Sequence, residues 1–72
     1  MRMIERLEAQ RPAADQTKRF LAQWGLKQKY VAAACQIPES VFSQFLNAQL
    51  ALSPAQLARI MAYLDDYLRR NS

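Results

Sequence analysis

The side chains with most chemistry to offer lie close together: Glu39, Ser40, Ser43, Gln44 and Asn47, a carboxylate, two hydroxyls and two carboxamides. Placed on an α-helix at about 100° per residue, these five cover about 140° of its circumference, and Val41, Phe42, Phe45 and Leu46 occupy the opposite side. A helix of this pattern is anchored through its apolar side. Its hydroxyl and amide groups then face outward, able to donate and accept the hydrogen bonds that read base edges in a duplex groove. Helices exposed only to solvent favour Lys and Glu, which form helices and solubilise better than Ser and Asn, so the cluster reads as a contact surface. Glu39 suits the first turn, where the helix dipole stabilises a carboxylate; its alternative use is to accept a hydrogen bond from cytosine N4.

Catalytic machinery is not recognisable. The chain has no His and a single cysteine, Cys35, and it shows no paired carboxylates or phosphate-binding loop, so neither an enzyme nor a metal or cofactor site is expected. Seventy-two residues make one small domain, too short to enclose a large cleft. Lys and Arg outnumber Asp and Glu by 10 to 6, a net charge of +4 that suits a polyanionic partner. A lone thiol forms no internal disulfide, which fits a reducing cytoplasm, and helical spacing puts Cys35 on the buried side beside Val31 in a structural role rather than a redox one. No apolar run approaches the ~20 residues that span a bilayer, so no membrane partner is expected. No small-molecule ligand is identifiable either.

One Gly, three Pro and little β-branched alternation leave helices as the periodic element, an all-α chain. Met3, Ile4 and Leu7 stand at helical spacing, but Arg11-Pro12-Ala13 is expected to interrupt that pattern before a second begins near Asp15. Residues 1–12 therefore read as an N-terminal arm or short helix, and 13–72 as the main domain. Thr17, Phe20, Leu21 and Trp24 mark the buried face of the first core helix, which Gly25 closes with a left-handed residue while Leu26 folds back onto Leu21. A short helix over Gln28 to Cys35 turns Val31, Ala32 and Cys35 inward. Pro38 fits the first turn of a third helix, near residues 38–47, and Ile37 before it plugs the core. Ser53, Pro54 and Gln56 form a capping box opening a fourth helix, with Leu52 and Leu57 as its staple. Along it Leu57, Ile60, Met61, Leu64 and Leu68 keep an apolar stripe, and Asp65-Asp66 marks a bend or a join between two helices.

Gln28-Lys29-Tyr30-Val31-Ala32, Ile37, Phe42, Phe45-Leu46-Asn47, then Leu52-Ser53-Pro54, Leu57, Ile60 and Leu64 resemble the Cro and lambda-repressor type (XRE-type) helix-turn-helix over about residues 17–68. The resemblance implies a compact four- to five-helix domain whose motif spans about Gln28 to Asn47. Where that family commonly has Gly between the motif helices, Gln36 stands here, and Ala48 replaces the Gly that often follows the final Asn. A positive φ at such sites costs a non-Gly residue about 1–2 kcal/mol. By the same resemblance, Glu39, Ser40, Ser43 and Gln44 face bases, with Gln44 the best adenine reader, and Gln28 and Asn47 approach the backbone. Lys18, Arg19, Lys27 and Lys29 neutralise phosphates.

The function so implied is a repressor-type transcriptional regulator that binds double-stranded operator DNA as a homodimer, since two helices about 34 Å apart read a palindrome. Its dimer surface is expected at Tyr63, Tyr67 and Leu68 or in the Met1 to Arg11 arm. Trp24, Tyr30, Tyr63 and Tyr67 read as core or interface residues rather than as a platform for single strands. The alternative is a protein-binding adaptor such as an antirepressor, because Pro38 to Asn47 contains no Lys or Arg.

Overall fold

A computed structural model describes residues 3–71 as four α-helices: α1 Met3–Trp24, α2 Gln28–Ala34, α3 Glu39–Leu46 and α4 Pro54–Arg70. Among the described residues there is no strand. At 1.5 Å per residue α1 is about 33 Å long, and it sets the 38 Å long axis of the molecule. α1 packs on both α3 and α4, and α2 packs on α3. The core is continuous from Ala14, Phe20 and Leu21 of α1, through Val31, Ala32, Cys35 and Ile37, to Phe42, Phe45, Leu46, Leu52, Ile60 and Leu64. No helix among the described residues is long and apolar enough to cross a membrane.

The expected interruption at Arg11-Pro12-Ala13 is absent. α1 continues through Pro12, although the ring removes one ladder hydrogen bond and crowds the preceding turn. Tertiary contact explains why the helix persists. Two residues before the proline, the Gln10 carboxamide pairs with the backbone of Leu52: Gln10 Nε2 donates to the Leu52 carbonyl at 2.7 Å, and the Leu52 N–H donates to Gln10 Oε1 at 2.8 Å. Arg6 adds a longer bond to the same carbonyl at 3.4 Å. The first half of the helix is thus tied to the loop ahead of α4. After the proline, the Thr17 hydroxyl, fully buried, donates to the Ala13 carbonyl at 2.7 Å. Of the apolar triplet in the opening segment, Leu7 is half-buried, and the side chains of Met3 and Ile4 lie outside the described part.

Three helices end in one way. Gly25, Gln36 and Ala48 have φ of 66°, 59° and 59°. In each case the residue after them donates its N–H five positions back, Leu26 to Leu21 at 2.9 Å, Ile37 to Ala32 at 2.9 Å and Gln49 to Gln44 at 2.8 Å. This is the Schellman closure, which satisfies carbonyls that the helix end leaves open. Only Gly25 occupies its left-handed position without a Cβ penalty. The strained turns expected at Gln36 and Ala48 are therefore present, the first held between buried Cys35 and Ile37.

Two further details differ from the sequence reading. Pro38 is not inside the first turn of α3 but is its N-cap, with ψ at 140°. The extended conformation carries the chain out from buried Ile37 into the helix, and the Pro38 carbonyl still accepts from the Phe42 N–H at 2.9 Å. Asp65-Asp66 makes neither a bend nor a join: α4 runs unbroken to Arg70, and the two aspartates pair one turn on with Arg69 and Arg70 at 3.0 Å each. Spacing of i to i+4 makes these charges support the helix. The α4 start is as read, with Ser53 Oγ accepting from the Gln56 N–H at 3.2 Å and Gln56 Oε1 from the Ser53 N–H at 3.1 Å.

Replacing Gln10 with Ala leaves the buried Leu52 N–H without a partner and its carbonyl with only the longer Arg6 bond, so urea unfolding should show a loss of about 1–3 kcal/mol. A loss below about 0.5 kcal/mol, within the range of an ordinary surface substitution, rules out the clamp. Ala48→Gly relieves the Cβ strain at a cost in chain entropy and should raise stability by about 0.5–1 kcal/mol; a fall would show that the left-handed turn is not strained.

Candidate nucleic-acid interface

α3 is held by its apolar side. Phe42 is 0% exposed and Phe45 1%; each such buried ring contributes about 1.5–3 kcal/mol relative to exposure. Leu46 is buried beside them and Val41 is partly buried. This insertion fixes the rotation of the helix. Glu39, Ser40, Gln44 and Asn47 are consequently exposed, and Ser43 on the same side is half-buried. Glu39 lies in the first turn, where a carboxylate faces the positive end of the helix dipole. Asn47 Nδ2 donates to the Ser43 carbonyl at 3.0 Å, so that donor closes its own helix end. Among the described residues the Gln44 carboxamide makes no hydrogen bond with another side chain or with the backbone. Its two donors and its acceptor are therefore available to a partner.

The basic residues divide. Lys27 is the N-cap of α2, and Gln28 and Lys29 form its first turn, all exposed. They sit on the helix that packs against α3. The Lys29 ammonium lies 5.1 Å from the centre of the Tyr30 ring, which is 63% exposed, an arrangement in which the ring face attracts the cation. Tyr30 thus separates from the other large aromatics. Lys18 and Arg19 are exposed on α1, but Arg19 lines a groove shared with Leu68 at the far end of α4. The family resemblance groups these four cations without indicating that Arg19 borders this groove.

The remaining aromatic residues serve the subunit itself. Tyr67 meets Phe20 and Trp24 edge-on at 5.6 and 5.5 Å, and Tyr63 packs 6.3 Å from Tyr67. The Trp24 indole N–H is buried with no partner among the described residues, a cost of about 1–3 kcal/mol set against those ring contacts. Of the expected dimer residues, Tyr63 and Tyr67 are partly buried against their own core, and Leu68 stays 46% exposed.

Cys35 is buried, and its Sγ lies 3.9 Å from the Arg59 carbonyl. Burial pushes the thiol pKa above its ordinary value, and the Arg59 charge opposes this more weakly. The Tyr63 hydroxyl is shifted upward too, first by burial and then by Cys35 and Tyr67. A thiol in this setting is a poor nucleophile.

Comparison with protein-family models, characterised proteins and solved structures found no significant match to this chain.

The two upward shifts set the sign of an alkaline response. A group whose pKa is higher when folded stabilises fully below its unfolded pKa, and that stabilisation disappears as pH rises through the folded value. Urea stability should hold level from about pH 6 to 8 and fall above about pH 8.5, where a free thiol begins to ionise. The Cys35→Ala variant should show a shallower fall. Stability that climbs with pH over this range contradicts the burial of both groups.

Proposed function

We propose that this chain is a sequence-specific DNA-binding regulator of the lambda-repressor-like, helix-turn-helix kind, with α2 and α3 as its motif and α3 as its reading helix. The observation that carries the reading is the division of α3: Phe42 and Phe45 lie fully in the core, so Glu39, Ser40 and Gln44 are held outward with hydrogen-bonding groups exposed. A helix backbone fixed by packing presents these side chains in a set register, which is what base discrimination needs. Lys27 and Lys29 flank the start of α2 and supply charge toward the phosphates, while Gln28 and Asn47 provide polar backbone contacts. The left-handed residue expected between the motif helices is Gln36, with φ of 59°. Repression follows sterically when a bound dimer covers a promoter.

A second reading has one observation in its favour. No Lys or Arg occurs from Pro38 to Asn47, so the exposed side of α3 also suits a protein partner, as in an adaptor or antirepressor. Charge-driven binding to random duplex separates the two, because association through phosphates weakens steeply with added salt. A DNA regulator binds random duplex at low salt and releases it as salt rises. An adaptor does not bind it.

Selection from a random duplex pool should return a two-fold symmetric site with half-sites one helical turn apart. On that site Gln44→Ala should cost about 1–3 kcal/mol and relax preference at one base pair. Lys29→Ala should weaken binding to all duplexes and lower the salt slope by about one. Equal binding of Gln44→Ala and the parent chain to selected and random DNA removes Gln44 from the interface.

A further inference from the structure

We propose that the outer side of α1, with Leu68 of α4, is the surface through which two copies of this chain associate. The inference goes beyond the DNA-binding reading and does not rest on it. Glu8, Arg11, Asp15 and Arg19 are all exposed on the side of α1 turned away from the core. At about 100° per residue they fall within about 80° of one another. With Leu68 they line an open groove of about 670 Å³ between α1 and the end of α4.

The charges along this stripe run acid, base, acid, base. Spacings of three and four residues would allow them to pair within the helix, as Asp65 with Arg69 and Asp66 with Arg70 do on α4. None of the four makes an ion pair or a side-chain hydrogen bond among the described residues. They are available to an outside partner.

A second copy is the occupant whose charges match. In a two-fold pairing each contact occurs twice, so a surface must be complementary to itself read backwards. With the axis crossing α1 close to Ala13, Glu8 and Arg19 lie about 8 Å on either side of it, and Arg11 and Asp15 about 3 Å. Glu8 then meets Arg19 of the other copy, and Arg11 meets its Asp15, in four simultaneous ion pairs. Moving the axis two residues toward Asp15 sets Arg11 against Arg19 and Asp15 against its own equivalent, so one register is selected. Leu68, one of the two large apolar side chains left exposed among the described residues, borders the stripe and is covered in the pair. Tyr63 and Tyr67 remain in their own subunit, and Arg19 belongs to this surface rather than to the DNA contacts.

Sedimentation of the full chain without DNA tests the proposal. The parent chain should show a monomer–dimer equilibrium that added salt weakens. Glu8→Lys with Asp15→Lys makes the stripe wholly positive, and Arg11→Glu with Arg19→Glu makes it wholly negative. Each double variant, with its helical circular dichroism intact, should dimerise at least about tenfold more weakly. An equimolar mixture of the two should restore association as a heterodimer. The proposal is overturned if the parent chain stays monomeric up to about 0.5 mM, if both variants dimerise like the parent, or if the mixture stays monomeric. Because no nucleic acid is present, none of these outcomes bears on what α3 binds.

Discussion

The fold turns on the burial of Phe42, Phe45 and Leu46 beneath a helix of only eight residues. A helix that short does not persist alone in water. α3 exists because its apolar side enters a core supplied by α1, α2, Ile37, Leu52 and α4. The same insertion decides which way its polar side faces. Hydroxyl and amide groups on α3 therefore have positions determined by packing several ångströms away, and a change in the core would rotate them as a set.

Short helices also need firm ends, and this chain provides them by repetition. The left-handed residues Gly25, Gln36 and Ala48 close α1, α2 and α3 with the same backbone bonds. Two of the three carry a side chain where glycine would be easier, so part of the packing energy is held as local strain. That strain is placed at the ends of α2 and α3, the pair whose relative setting the proposed interface requires. Capping at Ser53 begins α4 without any such strain.

Much of this was legible in the residues because it depends on local rules. Apolar spacing located the buried faces of α2, α3, the second half of α1 and α4 as far as Leu64, Gly25 and Ser53 marked ends through their backbone chemistry, and the glycine positions of the family resemblance pointed to Gln36 and Ala48. What escaped was tertiary. Pro12 signals a break by every local rule, and nothing adjacent to Gln10 indicates that its carboxamide reaches a backbone 42 positions away. Asp65-Asp66 is the exception, a local signal: its i to i+4 spacing from Arg69 and Arg70 supports an unbroken helix. At the candidate site the exposed side of α3 was readable from period alone. The groove that Arg19 shares with Leu68 was not, since it depends on where the end of α4 docks.

Pro12 carries a last consequence for how the molecule opens. With no N–H at that position, the Glu8 carbonyl has no ladder donor four residues on, and α1 has a seam between its two halves. The half beyond the seam shares its buried face with the main core, whereas the half before it is fastened through Gln10 and Arg6 to a loop carbonyl and amide. Fluctuations that release one turn at a time stop at such a seam. The leading turns of α1 should therefore exchange their amides as a separate unit, ahead of the remaining helices.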